Sequence, residues 1–239
     1  MGTKFSTRIW VSVVGIASIF LGSKGYADTV ISVADFGLKP DTRENAVAYV
    51  QKAIEACRGK EPVTLVFPEG RYDFWPQYAH EKNYYETNTY DVFPKRLAML
   101  FEGLHNITVD GNGSQFVMHD RIQPITVENC DGVTLKNFSI DWDIPLTAQA
   151  RVTKVGSDFF EIGINVLESP YIIEDGKLVF VGEGWKSALG SMIEFESDTH
   201  FVVPGTGDLV LGWNWGDYTA VSPRYGIVRL SRKGGFERY

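Results

Sequence analysis

Short runs of apolar and β-branched residues recur between turn-forming residues in the middle of the chain. Within residues 105–145, the triplets 107–109 and 133–135 match at an offset of 26 residues, and the triplets 116–118 and 138–140 match at an offset of 22. Self-similarity at a period of about 20–50 residues is typical of a solenoid, whose coils bury their apolar faces by stacking. The pattern therefore predicts an all-β protein that begins as a parallel β-helix.

A short strand and a helix are predicted before these coils. Residues 30–38 alternate apolar and small residues, which favours a strand that ends in a turn at Gly37. Asp41 is the predicted N-cap of the helix, with Glu44 three residues later, and Gly59 lies just beyond its end. The helix has one apolar stripe, which we expect to cover the open end of the solenoid: Ala46, Val47, Val50, Ala53, Ile54 and Cys57.

The pattern changes after Pro145. Short strands are predicted at residues 150–155, 159–164, 171–181, 192–195 and 208–212. Asp175-Gly176 is a two-residue hairpin signal, and residues 156–158 form a second turn. Parallel strands need long crossover connections, so tight hairpins indicate antiparallel pairing. We predict an antiparallel β-barrel or sandwich over residues 146–234. It would be inserted into the solenoid, whose cap and first coils span residues 28–145 and which resumes at residues 235–239.

The first residues have the features of a secretory signal peptide. Lys4 and Arg8 precede a 13-residue apolar run, residues 9–21, and small residues at Gly25 and Ala27 suit a cleavage site after Ala27. The apolar run is shorter than the roughly 20 residues of a membrane span. We predict a signal peptide over residues 1–27 and a secreted or periplasmic protein.

The charge balance bears on the partners. The chain has 23 basic and 30 acidic residues and a net charge of −7. Residues 1–27 hold three of the basic residues and none of the acidic ones, so their removal leaves a mature protein with a net charge of −10. Binding to nucleic acid or anionic lipid relies on Lys and Arg, so neither nucleic acid nor a membrane surface is expected as a partner. The oligomeric state stays open.

Cysteine and histidine give little sign of a metal site. Cys57 lies on the predicted helix face and Cys130 at a coil corner, which favours two free thiols over a disulfide. The four histidines have no metal-ligand spacing, so neither a metal nor a cofactor is expected: His80, His105, His119 and His200.

Aromatic residues are concentrated over residues 72–93, where eight of 22 positions are aromatic. They could present ring faces to a sugar, or they could form the small core of a loop packed over the first coils. We assign sugar stacking to Trp75 and to one of Tyr84 and Tyr85. A second aromatic group, at Trp213, Trp215 and Tyr218, could belong to the core of the antiparallel insertion or stack on a sugar, and we assign it to the core.

Carboxylates and an aromatic residue converge at the end of the second coil. Asp141 and Asp143 flank Trp142, so on a strand both carboxylates share one face with Cα atoms roughly 6.6 Å apart. Glycoside hydrolysis needs two carboxyl groups, which makes these residues candidates for catalysis. Alternating Asp residues also occur where a coil turns outward into solvent.

Longer motifs resemble a known superfamily. The succession ADFG, a helix containing VQKAIEAC, and VTLVFPEGRY resembles the N-terminal cap and first coil of pectin-lyase-like right-handed β-helix proteins. With the coils FEGLHNITVDGNGSQFVMH and VTLKNFSIDWDIP, the loop YYETNTY and the antiparallel insertion, residues 28–239 resemble the bacterial α-1,3-galactosidases of glycoside hydrolase family 110, and the B-type most closely.

This resemblance implies an exo-acting, inverting enzyme that needs no cofactor. Its substrate would be a glycan with terminal α-1,3-linked galactose, linear or branched as in blood group B. The catalytic aspartates would lie in later coils, beyond Tyr239. Asp141, Trp142 and Asp143 would then line the sugar subsite without performing the chemistry.

The short solenoid bears on the size of the protein. Two or three coils are few for a stable β-helix, so we expect the chain to be the front part of a longer protein. The resemblance implies that it is the front third of such an enzyme, and we expect it to be inactive alone. Two alternatives stay open: another β-helix polysaccharide hydrolase or lyase, and a non-catalytic carbohydrate-binding or structural module.

Overall fold

The structure is a computed structural model that describes residues 29–84, 94–204, 209–210 and 218–233. The predicted signal peptide, the predicted return to the solenoid at residues 235–239, Tyr85, Trp213 and Trp215 lie outside the described residues. Of the described helices, none is both long and apolar enough to cross a membrane.

The described residues of the N-terminal part, here called the parallel region, form one α-helix, one 3₁₀ helix and eight strands. In chain order they are β1 Thr29–Ser32, the 3₁₀ helix Val33–Phe36, α1 Val47–Cys57, β2 Val63–Val66, β3 Arg71–Phe74, β4 His80–Lys82, β5 Lys95–Glu102, β6 His105–Met118, β7 Gln123–Glu128 and β8 Asp131–Trp142. Parallel pairing joins β1 to β2, β2 to β6, β3 to β6, β6 to β8 and β5 to β7, while β4 pairs antiparallel with β5. The predicted parallel pairing is confirmed.

The register between β6 and β8 differs in part from the prediction. Ile107 pairs with Val133 at the predicted offset of 26, but Phe116 pairs with Ile140, an offset of 24 rather than 22. The register shifts after Asp110, where β6 contains two more residues than β8. Gly111 makes the shift possible, because a Cβ atom there would lie 2.5 Å from the Cβ atom of Phe138.

The core of the parallel region is centred on Phe116. The ring centroid of Phe116 lies 4.7 Å from that of Phe67, 5.6 Å from Phe74 and 6.2 Å from Tyr72, and all four rings are buried. Phe138 stacks on Phe116 at 4.7 Å, with 24° between the ring planes. Stacked strands thus bring aromatic residues that are distant in sequence into one column.

Helix α1 buries the predicted apolar stripe, from Val47 to Cys57, and packs against β1, β2 and β5. Its predicted N-cap is wrong. The side-chain oxygen of Asn45 accepts the Val47 N–H at 3.1 Å, whereas Asp41 has a φ of 61° and accepts the Arg71 N–H at 2.9 Å. Asp41 therefore shapes the approach to β3 instead of capping the helix.

Both cysteines are free thiols, as predicted. Cys57 is buried on α1, and burial raises its pKa to about 11. Cys130 Sγ accepts the Leu104 N–H at 3.4 Å at the corner between two strands. Both sulfur atoms therefore serve the packing of the parallel region.

The C-terminal part, here called the antiparallel region, pairs only antiparallel among its named strands. They are β9 Ala150–Val155, β10 Phe159–Ile164, β11 Tyr171–Glu174, β12 Lys177–Gly182, β13 Trp185–Ala188, β14 Ser191–Met192, β15 Leu209–Val210, β16 Thr219–Arg224 and β17 Ile227–Ser231. Phe160, Leu178, Tyr218 and Val228 lie in its separate core, which agrees with the core position predicted for Tyr218.

The turns of the antiparallel region were predictable, but three of its strands were missed. Asp175 and Gly176 both have positive φ, 51° and 70°, as a two-residue hairpin requires. The missed strands are β13, β16 and β17. Pro223 argues against a central strand, but β16 lies at the edge of its sheet, where proline is tolerated.

Candidate functional site

The register of β3, β6 and β8 places rows of side chains on one face of the parallel region. Side chains alternate along a strand, so residues two apart share a face. Two rows consist of residues that are aligned across the three strands: Arg71, Gln115 and Ser139, and Asp73, Val117 and Asp141. The residues that directly follow the three strands continue the pattern as a third row: Trp75, His119 and Asp143.

An open groove of about 240 Å³ lies at this face. Asp141, Trp142 and Asp143 all line it, as does Arg71, so the structure brings the three residues from the end of the second coil together. The indole N–H of Trp142 donates to the Asp120 carbonyl oxygen at 3.2 Å. The ring is therefore held in one orientation beside the two carboxylates.

Asp143 is an ion-paired carboxylate. Its Oδ1 atom accepts a hydrogen bond from Arg71 at 2.6 Å and from Arg43 at 3.4 Å. The hydrogen bond from Arg71 holds the pKa of Asp143 below its usual range. A general acid needs a raised pKa, so Asp143 is suited to accepting hydrogen bonds rather than donating a proton. Asp141 is exposed, and its carboxylate accepts the Trp142 backbone N–H at 2.8 Å.

Asp73 and His119 form a buried hydrogen-bonded pair beside the groove. Asp73 is 1% exposed and His119 is 2% exposed, and their Oδ1 and Nε2 atoms are 2.8 Å apart. Burial acts to raise the pKa of Asp73, but hydrogen bonds from Arg71 and His119 outweigh burial and lower it. Sequence reasoning missed both residues; they lie in adjacent rows on the same face, which is apparent only once the strand register is known.

A third carboxylate reaches this cluster from the antiparallel region. Glu183 Oε2 lies 2.7 Å from His119 Nδ1, and donor atoms of His119, Asp143 and Glu183 all lie within 4.8 Å of one another. These residue types can ligate a metal ion. Arg71 and Arg43 already neutralise Asp143, however, so the cluster is balanced by internal cations and offers a poor cation site.

The predicted sugar-stacking residues lie in two places. Trp75 stacks on His119 with ring centroids 3.8 Å apart and planes 8° apart, so one indole face is covered. The Tyr84 hydroxyl donates to Glu128 of β7, whose carboxylate also lies 2.9 Å from Lys82 Nζ. Tyr84 therefore contacts the β4–β5–β7 sheet rather than the groove. Sugar stacking by either residue stays a prediction.

The two lowered pKa values predict lower stability in acid. A carboxyl group whose pKa is lower in the folded state contributes stability above its unfolded pKa, and this is lost as the pH falls through the folded value. Asp73 and Asp143 both have such a lowered pKa. We therefore expect the urea concentration at the unfolding midpoint to decrease as the pH is lowered below about 4. In an Asp143→Asn variant the fall should be smaller; an equally steep fall would contradict the contribution of Asp143.

Comparison with known proteins identifies relatives for both regions. Residues 148–239 match the family model described as GLAA-B beta-barrel domain I. An alpha-1,3-galactosidase B of Bacteroides thetaiotaomicron is 58% identical over 205 residues, which are 86% of this chain and 33% of that protein. The alpha-1,3-galactosidase A of Shewanella woodyi is 36% identical over 70% of the chain and 28% of its own length. An alpha-1,3-galactosidase B of Parabacteroides distasonis is 34% identical over 85% of the chain and 34% of its own length.

These matches confirm the resemblance to the bacterial α-1,3-galactosidases, B-type included, that the motifs indicated. They also identify the antiparallel region as a β-barrel domain, one of the two architectures predicted for it. The chain spans about a third of the length of the curated relatives it matches.

Proposed function

We propose that this homologue of the bacterial α-1,3-galactosidases B is part of an exo-acting enzyme that removes terminal α-1,3-linked galactose from linear and branched, blood group B type glycans. The observation that carries the proposal is 58% identity over 205 residues to a protein named alpha-1,3-galactosidase B. The reaction proceeds with inversion and needs no cofactor.

The groove supplies part of the sugar-binding surface. Ionised carboxylates accept hydrogen bonds from sugar hydroxyls, and an indole face packs against the apolar face of a pyranose ring. Asp141, Trp142 and Asp143 combine these groups at one opening. Galactose is neutral, so the internally balanced charges of Arg71 and Asp143 suit a neutral ligand.

The acid and base of the reaction lie outside these 239 residues. An inverting pair stands about 6.5–9.5 Å apart, and its acid has a raised pKa. Asp143 has a lowered pKa and a guanidinium partner, which supports binding and argues against acid catalysis. The chain alone is therefore expected to be inactive.

The wider architecture belongs to the same proposal. The parallel strands β1, β2, β6 and β8, with the separate β5–β7 pair, are the first coils of a right-handed parallel β-helix, which α1 caps. The barrel is inserted after the second coil. A signal peptide over residues 1–27 directs the protein to the periplasm or the exterior, where it meets glycans.

Kinetic assays of the whole protein test this function. We expect hydrolysis of an α-1,3-galactosyl disaccharide, and we expect Asp143→Asn to raise KM about tenfold because a charged acceptor is lost. Asp158→Asn is the matched control, since Asp158 lies in the turn between β9 and β10, away from the groove. If the whole protein bound the ligand without turnover, the result would instead support a non-catalytic module. An unchanged KM in Asp143→Asn would show that the groove is not part of the sugar-binding surface.

A further inference from the structure

The parallel and antiparallel regions meet through two short segments. One follows β6, at residues 119–121, and the other runs from the end of β12 into the first residue of β13, at residues 183–185. Three successive residues of one segment contact three successive residues of the other: His119 with Glu183, Asp120 with Gly184, and Arg121 with Trp185.

The contact around Gly184 is close. A Cβ atom at Gly184 would lie 2.5 Å from Asp120 Oδ2, and Gly184 has a φ of 74°. The Arg121 guanidinium lies 5.8 Å from the Trp185 ring centroid, within the range of a cation–π interaction. The two segments therefore pack closely at three successive positions, and not only where His119 contacts Glu183.

His119 joins the two regions through both of its ring nitrogens. Nδ1 faces the Glu183 carboxylate at 2.7 Å, and Nε2 faces the Asp73 carboxylate at 2.8 Å. A neutral imidazole has a single N–H, so only the imidazolium form donates to both carboxylates at once. Trp75 stacks on this ring, with the two ring centroids 3.8 Å apart.

The same ionic contacts continue to the groove. Asp73 Oδ1 accepts from His119 and also from Arg71 Nη2, at 2.6 Å. Arg71 Nη2 in turn lies 2.6 Å from Asp143 Oδ1. A continuous chain of hydrogen-bonded side chains thus links the antiparallel region to the groove: Glu183, His119, Asp73, Arg71 and Asp143.

We propose that Glu183, His119 and Asp73 form an ion clasp that holds the antiparallel region on the parallel region and thereby positions Arg71 and Asp143 in the groove. Clasp residues are positioning residues and do not touch the sugar. The effect on ligand binding rests on the proposed function, whereas the clasp itself does not.

Glu183→Ala in the whole protein opens the clasp, and Glu174→Ala is its matched control. Both residues lie in the antiparallel region, but Glu174 is an exposed partner of Lys186 that does not contact His119. By hydrogen exchange with mass spectrometry, we expect residues 119–122 and 183–188 to exchange roughly tenfold faster in Glu183→Ala and as in the wild type in Glu174→Ala.

Kinetics of the same variants test the link to the groove. We expect Glu183→Ala to raise KM for the galactoside with little change in kcat, and Glu183→Gln, which keeps a hydrogen-bond acceptor, to restore part of the loss. Unchanged exchange in Glu183→Ala overturns the clasp, and faster exchange with an unchanged KM overturns its link to the groove. If the wild-type protein does not hydrolyse the galactoside, the proposed function fails and hydrogen exchange alone decides the clasp.

Discussion

Replacing Asp73 with alanine should lower the free energy of unfolding by about 3–5 kcal/mol. The Asp73 side chain is fully buried and accepts hydrogen bonds from both Arg71 and His119. Without it, His119 keeps its hydrogen bond with Glu183 and Arg71 keeps its hydrogen bond with Asp143. Removing one member of a buried ionic network leaves the remaining charges uncompensated, which is why the expected effect is large.

Urea denaturation of purified variants measures this effect. Asp141→Ala is the matched control, because Asp141 lies in the same row of side chains but is exposed. A surface substitution of this kind should change stability by no more than about 0.5 kcal/mol. If Asp73→Ala were no less stable than Asp141→Ala, the buried network would contribute nothing to the fold.

Phe116→Ala should destabilise the parallel region by about 3–5 kcal/mol. Phe116 is fully buried, and its ring contacts those of Phe67, Tyr72, Phe74 and Phe138. Truncation leaves a cavity between rings that are fixed by separate strands. The strands cannot close the gap without breaking the backbone hydrogen bonds on both sides of β6.

Thermal and urea unfolding of two companion variants separate the cavity from the loss of an aromatic residue. Phe116→Leu keeps most of the volume and should lose about 1.5 kcal/mol or less. Phe201→Ala removes a phenylalanine that is 73% exposed and should leave stability nearly unchanged. A loss in Phe116→Ala as small as that in Phe201→Ala would contradict the central position of this ring in the core.

The sequence predicted local elements well, because local patterns determine them. The bounds of β9 and β10 and the hairpin at Asp175-Gly176 agree with the prediction. Alternating side chains and turn residues specify such elements without reference to the rest of the chain. The predicted register after Asp110 was wrong because it depends on a contact that is not local. The two extra residues of β6 are accommodated beside Phe138 of the neighbouring strand β8, and the sequence of β6 alone does not show this.

The candidate site was predicted in the same uneven way. Asp141, Trp142 and Asp143 are adjacent in sequence, so their convergence was visible at once. His119 lies 46 residues from Asp73 and 64 from Glu183, and looked like an isolated histidine. The contact with Asp73 depends on the register of β3 against β6, and the contact with Glu183 depends on how the two regions meet. Neither composition nor spacing reports either contact.

The spacing of paired strands has a consequence for chain entropy during folding. In the parallel region, β6 pairs with residues 44 positions earlier and 24–26 positions later. In the antiparallel region, β10 and β17 join residues 64–72 positions apart. The entropy lost on closing a loop grows with the logarithm of its length, so bringing β17 to β10 costs on the order of 1 kcal/mol more than stacking β8 on β6. Polymer statistics thus favour early assembly of the stacked strands that carry the groove, and later closure of the barrel over them.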